Sequence, residues 1–174
     1  MSRGRVCFAH PDGGACEVMK ILHYIETTDS RCGGVPRFVL DCARVMSEAG
    51  HSSTILTLDT TDTPSEWLGE SGGRDGLPRV ERLHAPGLLG KLFSPAQMKD
   101  IRSELSRADV VHLHCVWSPT TVQIGSACRA LGVPYVVSCH GMLDEWSMNQ
   151  SATKKRIFHT LSAKMFLENA ARVH

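Results

Sequence analysis

Arg31–Arg44, RCGGVPRFVLDCAR, is the stretch whose reading decides the fold. It is entered from an apolar run, Met19–Ile25 (MKILHYI), through a polar loop, Thr27–Gly34. A strand-like run, a loop with adjacent glycines Gly33 and Gly34, and a helix predicted from Pro36 make the first β-loop-α unit of a nucleotide-type α/β fold. The helix carries Val39, Cys42, Ala43 and Met46 at i, i+3, i+4 and i+7, and Gly50 stands just past its end. Adjacent glycines let backbone N–H groups approach a phosphate, and the helix N-terminus behind them favours negative charge. The stretch therefore points to a site for an anion.

The rest of the chain repeats the unit. Ser53–Leu58 reads as a second strand, and Asp59–Pro78 is too rich in Gly, Asp and Pro for anything but loop, of the long kind that is often functional or mobile. Arg79–His84 is a weaker third strand. Ser94-Pro95-Ala96-Gln97 is a capping box with proline at N1, opening a helix striped by Met98, Ile101 and Leu105. Ala108–Cys115, ADVVHLHC, is the clearest strand. Ser118-Pro119 caps a helix with Ile124, Ala127, Cys128 and Leu131 at helical spacing and Gly132 as its stop. Val133–Cys139, VPYVVSC, has the continuous apolar character of a buried parallel strand. Ser147–Ala171 reads as one long helix, with Ile157, Leu161 and Met165 beside Phe158 and Phe166, and Arg172-Val173-His174 opens a further strand. This alternation predicts a Rossmann-like parallel sheet with helices on both faces, so that ligands bind beyond the carboxyl ends of the strands. Glu26–Gly34, His114–Ser118 and His140–Trp146 lie there.

Composition narrows the function classes. A chain of 174 residues, 42% hydrophobic, can bury one good core. Lys plus Arg is 19 against 18 Asp plus Glu, and this balance speaks against a general nucleic-acid-binding surface. Seven cysteines without a C-x-x-C pair read as reduced thiols, and no apolar run approaches the roughly 20 residues of a membrane span, so a cytoplasmic protein is expected. Residues 1–18 look like an N-terminal extension ahead of Met19. Within it Val6–Asp12, VCFAHPD, resembles the metal-site opening of the N-acetylglucosaminyl deacetylases, but Gly13 and Gly14 stand where that family has its second Asp and its Glu.

Taken together, GGVPR after the first strand, AGH before the second, ADVVHLHCVW, GVPYVVSCHGMLDEW and KKR on the last helix resemble the N-terminal domain of the GT-B glycosyltransferases of family 4, over Met19–His174. The resemblance implies one half of a GT-B fold: this acceptor-side domain faces a C-terminal domain that holds most of a nucleotide-sugar donor. It implies a retaining hexosyltransferase of the kind used in polysaccharide biosynthesis, acting on a saccharide or lipid-linked acceptor, with the nucleotide-sugar as substrate and no cofactor or metal. It further implies that Gly33 and Gly34 approach the donor diphosphate, with Arg37 adding charge near them. His140, in the His-Gly after a parallel strand, would lie at the reacting centre as the catalytic residue, with Gly141 beside it on the acceptor side. A chain ending at His174 would be a front half, inactive without the donor-binding domain in cis or in trans.

Other residues keep two readings. His112 and His114 share one strand face; His112 reads as a core or strand-edge histidine, and His114, at the carboxyl end, as lining the acceptor cleft. Trp117 and Trp146 follow strand ends, where an aromatic stacks on a sugar or packs over the sheet edge. Asp144 is an acceptor-hydroxyl partner or the cap of the next helix. Lys154, Lys155 and Arg156 form a solvated face or meet anionic lipid headgroups. A zinc site from His112, His114, Cys115, Cys139 and His140 is disfavoured, because alternation sends the thiols and the imidazoles to opposite faces. Two rivals remain: a non-catalytic acceptor-binding half or subunit of a split transferase, and a nicotinamide-dependent oxidoreductase. The second would use Asp59 as its ribose acid, yet Cys32–Pro36 is not the G-x-G-x-x-G fingerprint.

Overall fold

The computed structural model describes residues 17–74, 76–87, 91–141 and 164–174. Expectations for VCFAHPD, for Asp144 and Trp146, for Lys154, Lys155 and Arg156, and for most of the long helix lie outside them. The chain divides into two compact units, Met1–Leu83 and His84–His174. In each, strands alternate with helices and the strands pair in parallel, the α/β class expected.

In the first unit β1 (Lys20–Tyr24) pairs with β2 (Ser52–Thr57), from Lys20 opposite Ser52 to Tyr24 opposite Leu56. β3 (Arg79–Arg82) lies along the other edge of β2. The crossover is α1 (Gly34–Glu48), which starts two residues before Pro36. Gly33 caps it with φ 123° and ψ −168°, a conformation essentially reserved for glycine, and Pro36 is tolerated in the first turn because N–H groups there have no intrahelical acceptor. The buried seam is also rotated from the expected one: Pro36, Val39, Leu40, Ala43 and Ser47 are buried, while Cys42 and Met46 are half-buried at its margin. Val39, Leu40 and Ala43 join Ile25, Ile55, Trp67 and Val80 in one apolar core.

Trp67 comes from the segment expected to be loop alone. That segment holds two short 3-10 turns, Ser65–Trp67 and Gly69–Ser71, and burying the indole anchors it. Gly72 passes so close to Trp67 that a Cβ there would collide with the Trp67 carbonyl oxygen.

The second unit opens with α2 (Pro95–Leu105), whose capping box is complete: Ser94 Oγ accepts from the Gln97 N–H at 3.3 Å, and Gln97 Oε1 accepts from the Ser94 N–H at 3.0 Å. Met98, Ile101 and Leu105 are its buried stripe, as the spacing predicts. β4 (Val110–His114) pairs with β5 (Tyr135–Ser138), and β5 with β6 (Arg172–Val173). The crossover α3 (Pro119–Leu131) ends on Gly132 in the left-handed region, the stop read from the sequence, although Leu131 is exposed rather than on the apolar stripe. Ser118 precedes α3 without capping it, its hydroxyl bonding Thr120 Oγ1 instead. The described part of the last helix, α4 (Lys164–Glu168), stops at Glu168 rather than at Ala171, and it places Phe166 against Gly125 of α3. Among the described residues no helix is long and apolar enough to cross a membrane, and Cys32, Cys42, Cys115, Cys128 and Cys139 are free thiols.

Candidate functional site

The carboxyl ends of β4 and β5 bring imidazoles together. Strand alternation puts His112 and His114 on one face of β4, with ring centroids 4.1 Å apart. Register places Ser138 of β5 opposite His114, and Ser138 Oγ lies 2.7 Å from His112 Nε2. His140 follows two residues later on the same face. Its Nε2 is 3.1 Å from His114 Nδ1, and the two rings stack with centroids 5.3 Å apart and planes 23° from parallel. A run of contacts, hydrogen bonds at its two ends and ring against ring between His112 and His114, thus leads from Ser138 to His140.

Burial grades along this run. His114 is 1% exposed, while His112 and His140 are half-buried. The sequence reads His112 as a core or strand-edge histidine and His114 as lining the cleft; in the structure the ring at the strand end is the more enclosed, with His140 stacked on it. Burial pushes His112 down to about 4, assisted by the neighbouring His140 and His174. Burial also lowers His140. Loss of hydration penalises the imidazolium, so His112 and His140 are neutral near pH 7 and offer one N–H and one lone pair each.

Backbone strain concentrates at the same edge. Cys115 (φ 71°) and His140 (φ 49°), the residues that leave β4 and β5, are the non-glycine residues with positive φ among those described. Such conformations cost about 1–3 kcal/mol each and cluster where a side chain must be aimed. Gly141, exposed with φ 74°, completes the turn after His140. Half-buried Trp117 lies in the bend between β4 and α3. Ser138 is the residue that sequence reasoning passed over, and the signal was present, since S-x-H at the exit of one strand beside H-x-H in the next aligns three rings and a hydroxyl.

In the first unit the loop before α1 is tied down on itself and on the start of the Asp59–Pro78 segment. Arg31 grips the Asp29 carboxylate, at 2.7 Å for its closest contact, and holds it below the usual carboxylate range. The Ser30 N–H donates to Asp62 Oδ2 at 2.7 Å, and the Gly33 N–H donates to the Ser30 carbonyl at 3.1 Å. Asp59 accepts from the Thr27 hydroxyl at 2.6 Å and the Thr61 hydroxyl at 2.7 Å, so both carboxylate oxygens serve the loop. Gly34 stands apart. Among the described residues a Cβ there would meet nothing within 4 Å, and its φ is not positive, so neither their packing nor its own backbone calls for glycine. Arg37, exposed on the first turns of α1, donates to Asp41 Oδ2 at 2.8 Å.

A family model described as a glycosyl transferase 4-like domain matches residues 33–174, beginning at Gly33 and spanning the imidazole run. A search of curated proteins returns no match. One similar solved structure is the C-terminal domain of a hydrogenase from Pyrococcus furiosus, 17% identical with a TM-score of 0.39, the match covering 70% of this chain and 92% of that one. A likeness that loose carries no argument about chemistry.

Proposed function

The chain belongs to the glycosyl transferase 4-like domain family, and from that premise we propose that it forms the acceptor-side half of a retaining glycosyltransferase that moves a hexose from a nucleotide-sugar to a saccharide or lipid-linked acceptor. The observation that carries this reading is the placement of His140: at the carboxyl end of a parallel strand, on a left-handed backbone, with its ring braced from behind by His114. In the reaction the acceptor hydroxyl attacks the anomeric carbon on the face the diphosphate leaves. The new C–O bond forms as the bond to the phosphate oxygen breaks, and the hydroxyl proton passes to that oxygen. Such a step needs oriented dipoles around a departing diphosphate more than it needs a protein nucleophile. His140 supplies an oriented imidazole at the sugar, and Gly141 gives it a turn open to solvent.

The open space at Gly34 supports the assignment of Gly33 and Gly34 to the diphosphate, because an atom missing there leaves room for a ligand against the first turn of a 15-residue helix. The Gly33 N–H is already given to Ser30, so the contribution of Gly33 is its conformation and that of Gly34 is close approach. Arg37 contributes charge after exchanging Asp41 for phosphate. Trp117 and, outside the described residues, Asp144 serve the acceptor. Turnover on this reading requires the donor-binding half, in cis or in trans, and no cofactor beyond the donor. The test is His140→Ala in the full-length protein that contains this chain: turnover is expected to fall by about 100-fold or more at unchanged thermal stability, on the scale of losing one preorganised dipole. Near wild-type rates would remove His140 from the chemistry.

A further inference from the structure

Backbone N–H groups hold an anion well only when the backbone is ordered beforehand, because fixing a loop on binding costs conformational entropy. Residues 30–34 are all exposed, so the apolar core does not hold them. Hydrogen bonds do. The Cys32 N–H donates to the Asp29 carbonyl at 3.0 Å and the Gly33 N–H to the Ser30 carbonyl at 3.1 Å, closing a 3-10 turn over Ser30–Cys32. At the head of that turn Asp29 Oδ1 accepts from the Arg31 N–H at 2.9 Å. These bonds join close neighbours, so they shape the turn without fastening it to the domain.

The fastening comes from 32 positions away. Asp62 Oδ2 accepts from the Ser30 N–H at 2.7 Å and also from the Ser30 hydroxyl. A carboxylate only accepts, and its charge strengthens both bonds, so the two Ser30 donors are directed at one oxygen. The Ser30 carbonyl in turn receives the Gly33 N–H, and Gly33 caps α1. Holding Ser30 therefore holds the entry to the helix. The neighbouring tie is of another kind: the Asp59 carbonyl accepts from the N–H of buried Thr28 at 3.1 Å, a backbone bond that no side-chain substitution removes. Asp62 is exposed, and replacing it leaves that bond and the apolar core of α1 in place. Resting on the assignment of Gly33 and Gly34 to the diphosphate, we propose that Asp62 is a positioning residue that fixes the Ser30–Gly33 turn through Ser30 and so orders the start of α1 before the anion arrives.

Two substitutions separate this from a general contribution to stability. Asp62→Asn keeps an acceptor oxygen for Ser30 and drops the charge, whereas Asp62→Ala keeps neither. Both are expected to melt with the wild type, as substitutions at exposed positions do. In the ¹⁵N-labelled chain, amide order parameters at residues 30–33 should stay near the rigid value of about 0.85 in the wild type and in the Asn variant, and fall below about 0.6 in the Ala variant. If the Ala variant does not fold, Asp62→Ser, too short to reach Ser30, takes its place. Unchanged order in a folded Ala or Ser variant would overturn the proposal, and so would an Asn variant as loose as Ala. Inorganic pyrophosphate is the ligand probe, followed at the Gly34 amide. Its dissociation constant should rise about 10-fold in the Ala variant and not rise in the Asn variant. Equal affinity in the wild type and a loosened Ala variant would also overturn the proposal. The order parameters need no ligand: if they follow Asp62 while pyrophosphate leaves Gly34 unmoved in the wild type, Asp62 positions the turn and the diphosphate reading falls.

Discussion

Gly33 and Gly34 are adjacent and chemically identical, and the fold asks different things of them. Gly33 sits at φ 123°, where an L side chain is strained, whereas Gly34 begins a helix in open space. Gly33→Ala is therefore expected to destabilise the domain by about 1–3 kcal/mol. Gly34→Ala should be neutral or stabilising by up to about 1 kcal/mol, since it removes freedom from the unfolded chain. A Gly34→Ala protein that melts no lower than wild type yet transfers sugar poorly would show that the glycine is kept for a ligand; full activity would withdraw it from the diphosphate site. His112 offers a second test at this scale. Its folded value near 4 lies below the ordinary 6.5, so the unfolded chain binds a proton first as pH falls. Stability is thus fully present above about pH 6.5 and is lost down to about pH 4, by about 3 kcal/mol in all. Urea titrations across that window should show the decline in the wild type, and His112→Phe should flatten much of it.

Elements differ in how plainly the sequence announces them. The capping box at Ser94 and Gln97 and the αL stop at Gly132 were legible because each rests on contacts within a few residues. The face of α1 was legible only to within one position, because Leu40 and Cys42 flank the same seam and the sheet decides which of them turns inward. Trp67 in the Asp59–Pro78 segment was missed, since a lone aromatic among Gly, Asp and Pro has no period to betray its burial. The contact of α3 with α4 is likewise tertiary. A Cβ on Gly125 would lie 2.6 Å from two ring carbons of Phe166, itself 4% exposed, so the ring or the helix must shift to admit it. Gly125→Ala, which in an isolated helix would gain about 1 kcal/mol, is expected here to cost about 1–3 kcal/mol net, read from denaturant midpoints at constant m.

At the scale of the whole molecule the net charge of +1 leaves no general field to draw in anions, so binding to an anionic partner must come from local groups. Lys154, Lys155 and Arg156 are the one run of three consecutive cations in the sequence. If a lipid-linked acceptor is the substrate, vesicles containing anionic lipid should bind the chain in a salt-sensitive way, and replacing all three residues with Gln should abolish the binding. Binding that survives the triple substitution would remove this cluster from the membrane proposal. The sequence by itself determined the class of fold, because alternating strand and helix periods and left-handed stops are written into neighbouring residues. Only the tertiary structure decided that the rings of His112, His114 and His140 and the hydroxyl of Ser138 form one run, and that His114 is the most enclosed of the three rings. Those contacts join residues 26 positions apart, and their geometry depends on strand register and on backbone strain at two strand exits, which no local pattern encodes.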